Sequence, residues 1–259
     1  MNVLAIGDIV GSVGTEMFLE KIDVLKEKYS VDFCIVNGEN ASQNNGISRR
    51  DAEKLLGGGA DVVTLGNHAF RQKDAFSLLH NEKRIIRPAN FPEGTSGNGF
   101  FQTEINGKKV AVINLLGRVY LDYCDCPFKA VDDILKKITS DIVIVDFHAE
   151  ATSEKVTMGW YLDGRVSAIF GTHTHVITAD EKIMPKGTGY ITDIGMTGPF
   201  YSCLGVKREI TLERFKRCIP QRFEFADGAA QLNGVLFKID DKTNKTTEIE
   251  KVIITPERL

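Results

Sequence analysis

The chain of 259 residues is 42% hydrophobic and carries a formal net charge of -3, from 32 basic and 35 acidic side chains. It is long enough to bury a full core, and we expect one domain over residues 1–259. The slightly acidic balance argues against strong binding to long nucleic acids, and no apolar run is long enough to span a bilayer. The sequence shows no secretory signal, which predicts a cytoplasmic protein.

The first half of the chain alternates predicted strands with predicted helices. A buried strand from Asn2 to Ile6 leads through a glycine-rich turn to a helix from Thr15 to Tyr29, in which apolar residues recur at helical spacing. Ser48 is typical of a residue that caps the next helix, and three consecutive glycines end it. After His68 we expect a further, polar helix that runs to about Asn81.

The second half begins with a hairpin. Asn106-Gly107 predicts a type I′ turn that joins strands over residues 99–105 and 110–115. Helices are expected over residues 128–138 and 153–162, where apolar residues again recur at helical spacing.

Three short apolar runs lie near the C-terminus, at residues 223–225, 234–239 and 249–254. Their length and composition predict strands, which we expect to form antiparallel edges of a second sheet. The order of predicted elements therefore indicates an α/β fold in which two sheets lie between layers of helices.

Polar side chains follow five of the predicted strands. The five segments are Gly7-Asp8, Gly38-Glu39-Asn40, Gly66-Asn67-His68, Asp146-Phe147-His148 and Gly171-Thr172-His173-Thr174-His175. In an open α/β sheet, ligands bind in the crevice at the carboxyl ends of the strands. Carboxylate, amide and imidazole groups are donors that suit first-row divalent metals. A single histidine or asparagine after a strand is ordinarily structural, but five such segments together predict a metal site.

Four of the five histidines belong to these segments. The fifth, His80, lies in a predicted helix with polar neighbours and is predicted to be structural. His173 and His175 are two residues apart, so their rings need a turn in the backbone to face the same site. We expect Gly171 to allow this turn, because glycine adopts backbone angles that are closed to other residues.

Taken together, these motifs resemble those of the calcineurin-like metallophosphoesterases. The resemblance is closer to the YmdB-like bacterial branch, whose members resemble 2′,3′-cyclic-nucleotide phosphodiesterases. It extends over nearly the whole chain and includes residues 87–94 and 192–199. It implies a four-layer α-β-β-α sandwich of the metallophosphoesterase type, with two mixed sheets flanked by helices, and a binuclear metal centre.

The resemblance also implies two sets of metal ligands that share Glu39 as a bridge. The first ion is assigned to Asp8, Glu39, Asn40 and His175, and the second ion to Glu39, Asn67, His148 and His173. The wider superfamily has a histidine ligand where this chain has Val10, and usually a bridging aspartate where it has Glu39. Both departures are those of the YmdB-like branch, and the amide oxygen of Asn40 is expected to complete the first set.

His68 is surplus to this ligand count and is expected to act as the general acid, which protonates the departing ribose oxygen. The expected nucleophile is a hydroxide that bridges the two metal ions and attacks phosphorus. The branch usually has Trp-Asp where this chain has Phe70-Arg71. If that acid orients His68, its replacement by Arg71 weakens the acid role.

The expected cofactors are two divalent or mixed-valence metal ions. The ligand types favour iron or manganese, with zinc and magnesium as alternatives. The expected partner is a small phosphoester substrate, a 2′,3′-cyclic nucleotide, with 3′,5′-cyclic nucleotides left open. A phosphomonoesterase or nuclease on the same metal core, and a nucleotide-binding regulatory protein with little turnover, are the alternatives. The resemblance further implies a homo-oligomer.

Overall fold

The computed structural model describes residues 1–121 and 124–256. Within these ranges the helices are α1 (Gly11–Tyr29), α2 (Arg49–Gly57), α3 (Ala75–Asn81), α4 (Pro127–Leu135), α5 (Thr152–Leu162) and α6 (Arg208–Arg217). The strands in the same ranges are β1 (Asn2–Ile6), β2 (Asp8–Ile9), β3 (Phe33–Asn37), β4 (Val62–Thr64), β5 (Ile85–Ile86), β6 (Phe100–Ile105), β7 (Lys108–Leu116), β8 (Ile142–His148), β9 (Ala168–Thr172), β10 (Lys182–Ile183), β11 (Gly189–Ile191), β12 (Met196–Pro199), β13 (Ala230–Ile239) and β14 (Thr246–Ile254).

The strands form two mixed sheets. The first sheet has eight strands in the order β2-β12-β13-β1-β3-β4-β5, with β14 paired to β13. Its strands β1, β3, β4 and β5 are parallel, whereas β13 runs antiparallel to β1. The second sheet has six strands in the order β10-β11-β9-β8-β7-β6, of which β7, β8, β9 and β11 are parallel.

Alternation of side chains along β1 places its residues in two different cores. Val3 and Ala5 pack between the two sheets, in contact with the apolar face of the second sheet. Leu4 and Ile6 point the other way and pack in the cluster that includes α1 and α2. A third apolar cluster joins the outer face of the second sheet to α4 and α5. The predicted α-β-β-α sandwich of two mixed sheets between helices is therefore confirmed.

The predicted hairpin is also confirmed. Asn106 and Gly107 both have positive φ, at 51° and 76°, as a type I′ turn requires, and they join β6 to β7. Some helix bounds differ from the expectation, since α1 begins at Gly11 and α4 ends at Leu135. None of the helices in the described ranges is long and apolar enough to cross a membrane.

The helix expected directly after His68 is wrong. The segment after β4 turns instead, and α3 begins only at Ala75. The N–H groups of Gly66 and His68 donate to the carboxylate of Glu39, at 2.5 and 2.7 Å. Because these donors are used by a side chain, they hold the segment as a turn beside Glu39.

The expectation for the C-terminal strands is also wrong in two respects. Strand β13 lies inside the first sheet, between β12 and β1, so neither it nor β14 belongs to the second sheet. Residues 223–225 form no strand, and Phe225 makes an isolated bridge to Val206. The apolar residues of β13 do not identify its neighbours in a sheet, because strand pairing depends on partners far along the chain.

Candidate metal centre

The predicted site residues come together where parallel strands of both sheets end. Asp8 and Glu39 follow β1 and β3 of the first sheet, and His148 is the last residue of β8 in the second. All three side chains are fully buried. Beneath them, Asn37 Nδ2 donates to Asp146 Oδ2 at 3.0 Å and joins the two sheet edges. The fold therefore collects carboxylates and imidazoles from distant segments in one place that is shielded from water.

Asp8, Asn40 and His175 form the first group. His175 Nε2 lies 3.6 Å from Asp8 Oδ1 and 3.1 Å from Asn40 Nδ2, and its Nδ1 lies 3.0 Å from the carbonyl oxygen of Leu204. The Nδ1–H donates to Leu204, so Nε2 is the nitrogen that faces Asp8 and Asn40. A 180° rotation of the Asn40 amide exchanges its nitrogen for its oxygen, which would then face a cation at this position.

Asp8 and His175 shift each other's pKa. Burial raises the pKa of Asp8, but the nearby imidazole of His175 outweighs this and holds it well below its usual range. Burial lowers the pKa of His175, but the nearby carboxylate of Asp8 outweighs this and raises it. Asp8 thus favours a positive charge at His175 Nε2, and a metal ion would take the place of that proton.

Glu39, His148 and His173 form the second group. His148 Nε2 lies 3.6 Å from Glu39 Oε1 and 3.1 Å from His173 Nδ1. On the far side of each ring, His148 Nδ1 lies 2.9 Å from Thr172 Oγ1, and His173 Nε2 lies 3.0 Å from Glu150 Oε2. Glu150 was not assigned a role from the sequence, although it follows His148 by two residues.

The outer contact of His148 sets the tautomer of its ring. The Thr172 hydroxyl donates to Asp146 and so accepts from His148 Nδ1–H, which leaves a lone pair on His148 Nε2. This lone pair faces His173 Nδ1, where a proton on His173 or a metal ion can meet it. Burial, followed by the charge of His173, lowers the pKa of His148 well below its ordinary value, which disfavours a proton there. Two nitrogens bound to one metal ion at about 2.1 Å lie about 3 Å apart, as these do.

Unpaired oxygens also point to cations at this edge. Three buried side-chain atoms in the described residues lack a hydrogen bond: Asp8 Oδ1, Asn67 Oδ1 and Glu181 Oε2. Glu181 Oε2 lies 2.9 Å from Lys251 Nζ, which leaves Asp8 and Asn67 to be explained. A buried polar atom without a partner costs about 1–3 kcal/mol. Since each of the two belongs to one of the predicted ligand sets, the residues present fit two metal ions.

Within residues 1–121 and 124–256, no group of three or more His, Cys, Asp or Glu side chains has the arrangement of a formed metal site. The short contacts are pairwise instead, such as His148 with His173 and Asn40 with His175. Two of the seven predicted ligands are asparagines, which supply amide oxygens to a metal ion. Metal binding therefore requires local side-chain adjustment, including rotation of the Asn40 amide.

His68 lies beside the predicted ligands with 19% of its side chain exposed. Its Nδ1 lies 3.0 Å from Glu39 Oε1 and 3.2 Å from Asn40 Oδ1, and its Nε2 lies 3.4 Å from Asn45 Nδ2. Glu39 and Asn40 thus orient the ring from the Nδ1 side. An acid at the position of Arg71 is not needed for this, so the replacement does not remove the contacts that position His68.

A polar network beneath the site was missed from the sequence. Asp146 accepts hydrogen bonds from Thr64 Oγ1 at 2.5 Å, Thr172 Oγ1 at 2.7 Å and Asn37 Nδ2 at 3.0 Å. Burial raises the pKa of Asp146 to about 7, and the three hydrogen bonds only partly oppose this. The sequence shows these four polar residues at or near the ends of otherwise apolar strands, but it does not show that they meet.

The backbone turn that aims the two neighbouring histidines differs from the expectation. His173 and His175 themselves adopt positive φ, at 99° and 65°. Gly171 lies within β9 and is needed for a different reason, since a Cβ there would collide with the carbonyl of Thr192. The fifth histidine, His80, lies exposed on α3, apart from the predicted ligands.

Comparison with known proteins places this site in a family. The model of the YmdB-like proteins matches residues 4–252. A 2′,3′-cyclic-nucleotide 2′-phosphodiesterase of Bacillus subtilis is 47% identical over 100% of this chain and 99% of its own length. A crystal structure of a hypothetical protein from Thermus thermophilus has a TM-score of 0.93 at 40% identity, covering 98% of this chain and 99% of that one.

Two further structures define the fold. A novel phosphatase from Mycoplasma pneumoniae has a TM-score of 0.94 at 38% identity, and it covers 98% of this chain and 93% of its own. A calcineurin-like phosphoesterase of Bacillus subtilis has a TM-score of 0.56 at 11% identity, covering 98% of this chain and 90% of its own, which shows a shared fold. With a calcineurin-like phosphoesterase fold, and with both sequence and structure matched along nearly its whole length, the chain belongs to the YmdB-like protein family.

Proposed function

We propose that the chain is a two-metal phosphodiesterase that opens 2′,3′-cyclic nucleotides at the 2′ ester bond and releases the 3′-nucleotide. The observation that carries this proposal is the convergence of Asp8 with His175 and of Glu39 with His148 and His173 at one edge of the fold, together with the buried oxygens of Asp8 and Asn67 that lack a hydrogen bond. The name of the Bacillus subtilis relative supports the choice of substrate and of the bond that breaks.

In this proposal Asp8, Asn40 and His175 hold one ion, Asn67, His148 and His173 hold the other, and Glu39 lies between the groups. Bound metal ions supply an activated water at neutral pH and neutralise the charge of the phosphate. The mixture of imidazole, carboxylate and amide donors favours manganese or iron. Thr172 accepts from His148 Nδ1–H and so keeps the ligand nitrogen Nε2 of His148 free of a proton, while Glu150 lies 3.0 Å from the outer nitrogen of His173.

His68 is the group proposed to donate a proton to the departing ribose oxygen. Its Nδ1 lies 3.0 Å from the Glu39 carboxylate, so Nε2 is the atom available to a substrate. Asn45 Nδ2 lies 3.4 Å from the same nitrogen, and a substrate oxygen can take the place of this long contact. A positioned imidazole suits this role because its proton is exchangeable near neutral pH.

A phosphomonoesterase is the second candidate, because the Mycoplasma pneumoniae structure is described as a phosphatase. The same metal ligands would serve both reactions, since both displace an oxygen from phosphorus. The two differ in the substrate: a phosphodiester carries one negative charge, and a phosphomonoester carries two near neutral pH. Glu150, which is half exposed at the His173 edge, would repel the more charged substrate.

The proposal is tested by hydrolysis assays on manganese-loaded protein with 2′,3′-cyclic AMP, 3′,5′-cyclic AMP and p-nitrophenyl phosphate. We expect rapid conversion of 2′,3′-cyclic AMP to 3′-AMP, and its loss in Asp8→Asn, which keeps the shape of the side chain but removes its charge. Faster hydrolysis of the monoester would favour the second candidate. Metal-loaded protein that hydrolyses none of the three would contradict both.

A further inference from the structure

A buried ion pair lies directly beneath the loop that carries His173 and His175. Lys155 of α5 and Asp193, which follows β11, are 2% and 0% exposed, and Lys155 Nζ donates to Asp193 Oδ2 at 2.6 Å. Neither residue belongs to the predicted ligand sets. Burial removes the hydration of both charges, and their mutual attraction often does not offset this cost. The ion pair is therefore expected to have a further role.

Asp193 uses its oxygens to fix the histidine loop. Oδ2 accepts hydrogen bonds from the backbone N–H of Thr174 at 3.1 Å and from the Thr174 hydroxyl at 2.8 Å. Thr174 stands between His173 and His175. The Asp193 carboxylate therefore holds the residue between the two histidines, and the position of this residue affects the direction of both imidazole rings.

The loop needs such support because of its backbone. His173 and His175 both have positive φ, a conformation that residues other than glycine adopt rarely and that strains the backbone. Such a conformation persists only when surrounding contacts determine it. The hydrogen bonds from Thr174 to Asp193 are contacts of this kind, because they act on the residue between the two strained ones.

The same carboxylate also reaches Asp8 through a second loop. Asp193 Oδ1 accepts the N–H of Gly195 at 2.8 Å, and the carbonyl oxygen of Gly195 accepts the N–H of Asp8 at 3.1 Å. Gly195 has a φ of +75°, which glycine adopts without strain. Asp193 is thus linked to Asp8 on the first sheet and to the histidine loop of the second.

We propose that Lys155 and Asp193 are positioning residues that fix His173, His175 and Asp8 for metal binding. The inference rests on the proposed two-metal site and adds to it the residues that hold three of its ligands in place. Lys155 supplies the charge that keeps Asp193 an acceptor in a buried place.

The test measures Mn²⁺ affinity by calorimetry on metal-free protein, together with the unfolding temperature. In Lys155→Met/Asp193→Leu, which leaves the N–H groups of Thr174 and Gly195 without their acceptor, we expect a protein that folds with a lower unfolding temperature. Its Mn²⁺ affinity, measured well below that temperature, should be lower by about 10- to 100-fold. Wild-type affinity in this variant would overturn the inference and leave the proposed function standing. A wild-type protein that binds no Mn²⁺ would overturn both.

A milder pair of variants keeps the test decisive if the double substitution prevents folding. Thr174→Val removes the hydroxyl that donates to Asp193 while keeping the side-chain shape, and Thr174→Ser retains that hydroxyl. We expect Thr174→Val to lower Mn²⁺ affinity several-fold and Thr174→Ser to match the wild type. Equal affinity in the two variants would contradict the positioning role.

Discussion

At the scale of single residues, the site is defined by atoms whose bonding is incomplete. His148 Nε2 and His173 Nδ1 face each other at 3.1 Å, and Asp8 Oδ1 and Asn67 Oδ1 are buried without a hydrogen bond. The sequence predicted all of these residues from their places after strands and from the resemblance. It could not show Glu150 or Asp146 acting on the ligands, because both act through side-chain contacts that form only in the fold.

Replacing His68 tests the division between acid and ligand roles. In His68→Ala we expect kcat for 2′,3′-cyclic AMP to fall by about 100- to 10,000-fold while Mn²⁺ affinity stays the same, because a general acid contributes to rate and not to metal binding. His80→Ala is the matched control, since His80 lies exposed on α3. If His68→Ala lost metal together with activity, His68 would be a ligand or a structural residue.

The raised pKa of Asp146 predicts that the metal-free protein becomes less stable as the pH rises. Its pKa is raised to about 7 by burial, so the metal-free folded state keeps a proton that the unfolded chain loses near pH 4. The contribution of Asp146 to the free energy of unfolding should therefore fall by up to about 1.4 kcal/mol per pH unit between about pH 4 and about pH 7.

Urea unfolding of metal-free wild type and Asp146→Asn across this range measures that contribution as a difference. Asparagine does not titrate, so stability of the wild type relative to the variant should decline as the pH rises. Parallel curves for the two proteins would show that Asp146 is ionised in the fold throughout the range.

At the scale of elements, the predicted ligands lie at strand ends, and close packing between strands sets the positions of those ends. The sequence predicted the strands that lead to the site because their apolar runs end in polar residues. It assigned Gly171 to a turn, whereas the glycine lets β9 approach Thr192 and the histidines make the turn themselves. It also placed residues 234–239 in the wrong sheet, because a short apolar run does not identify its distant partners.

Gly171→Ala tests the close approach of these elements. The added methyl would meet the carbonyl oxygen of Thr192, which is backbone and cannot move aside, so we expect a loss of about 1–3 kcal/mol or more in the free energy of unfolding. Gly57→Ala is the control, since a Cβ at this exposed helical position meets nothing within 4 Å. Equal unfolding temperatures for the two variants would contradict the packing argument.

At the scale of the whole molecule, the site joins the two sheets. Asp8 and Glu39 follow strands of the first sheet, and His148 and His173 come from the second. Metal ions held between these groups would therefore link the two halves of the sandwich. Stability of the molecule should depend on whether the ions are bound, because a ligand that binds only the folded state stabilises it.

Removal of metal tests this link. Mn²⁺ at about 100 times its dissociation constant adds about 2.7 kcal/mol for one site, which corresponds to a rise of about 5–11 °C in unfolding temperature for a chain of this size. Thermal scans with Mn²⁺ and with a chelator should show this difference in the wild type. His148→Ala should show a much smaller one, and an equal shift in that variant would place the stabilising ion elsewhere.

The central claim is that two metal ions between the sheets support phosphodiester hydrolysis. Its most direct test is to titrate metal-free protein with Mn²⁺ and to follow the rate of 2′,3′-cyclic AMP hydrolysis against the number of equivalents bound per chain. With two ions required, the rate should rise until two equivalents are bound and then stay constant. Full activity at one equivalent, or activity without bound metal, would contradict it.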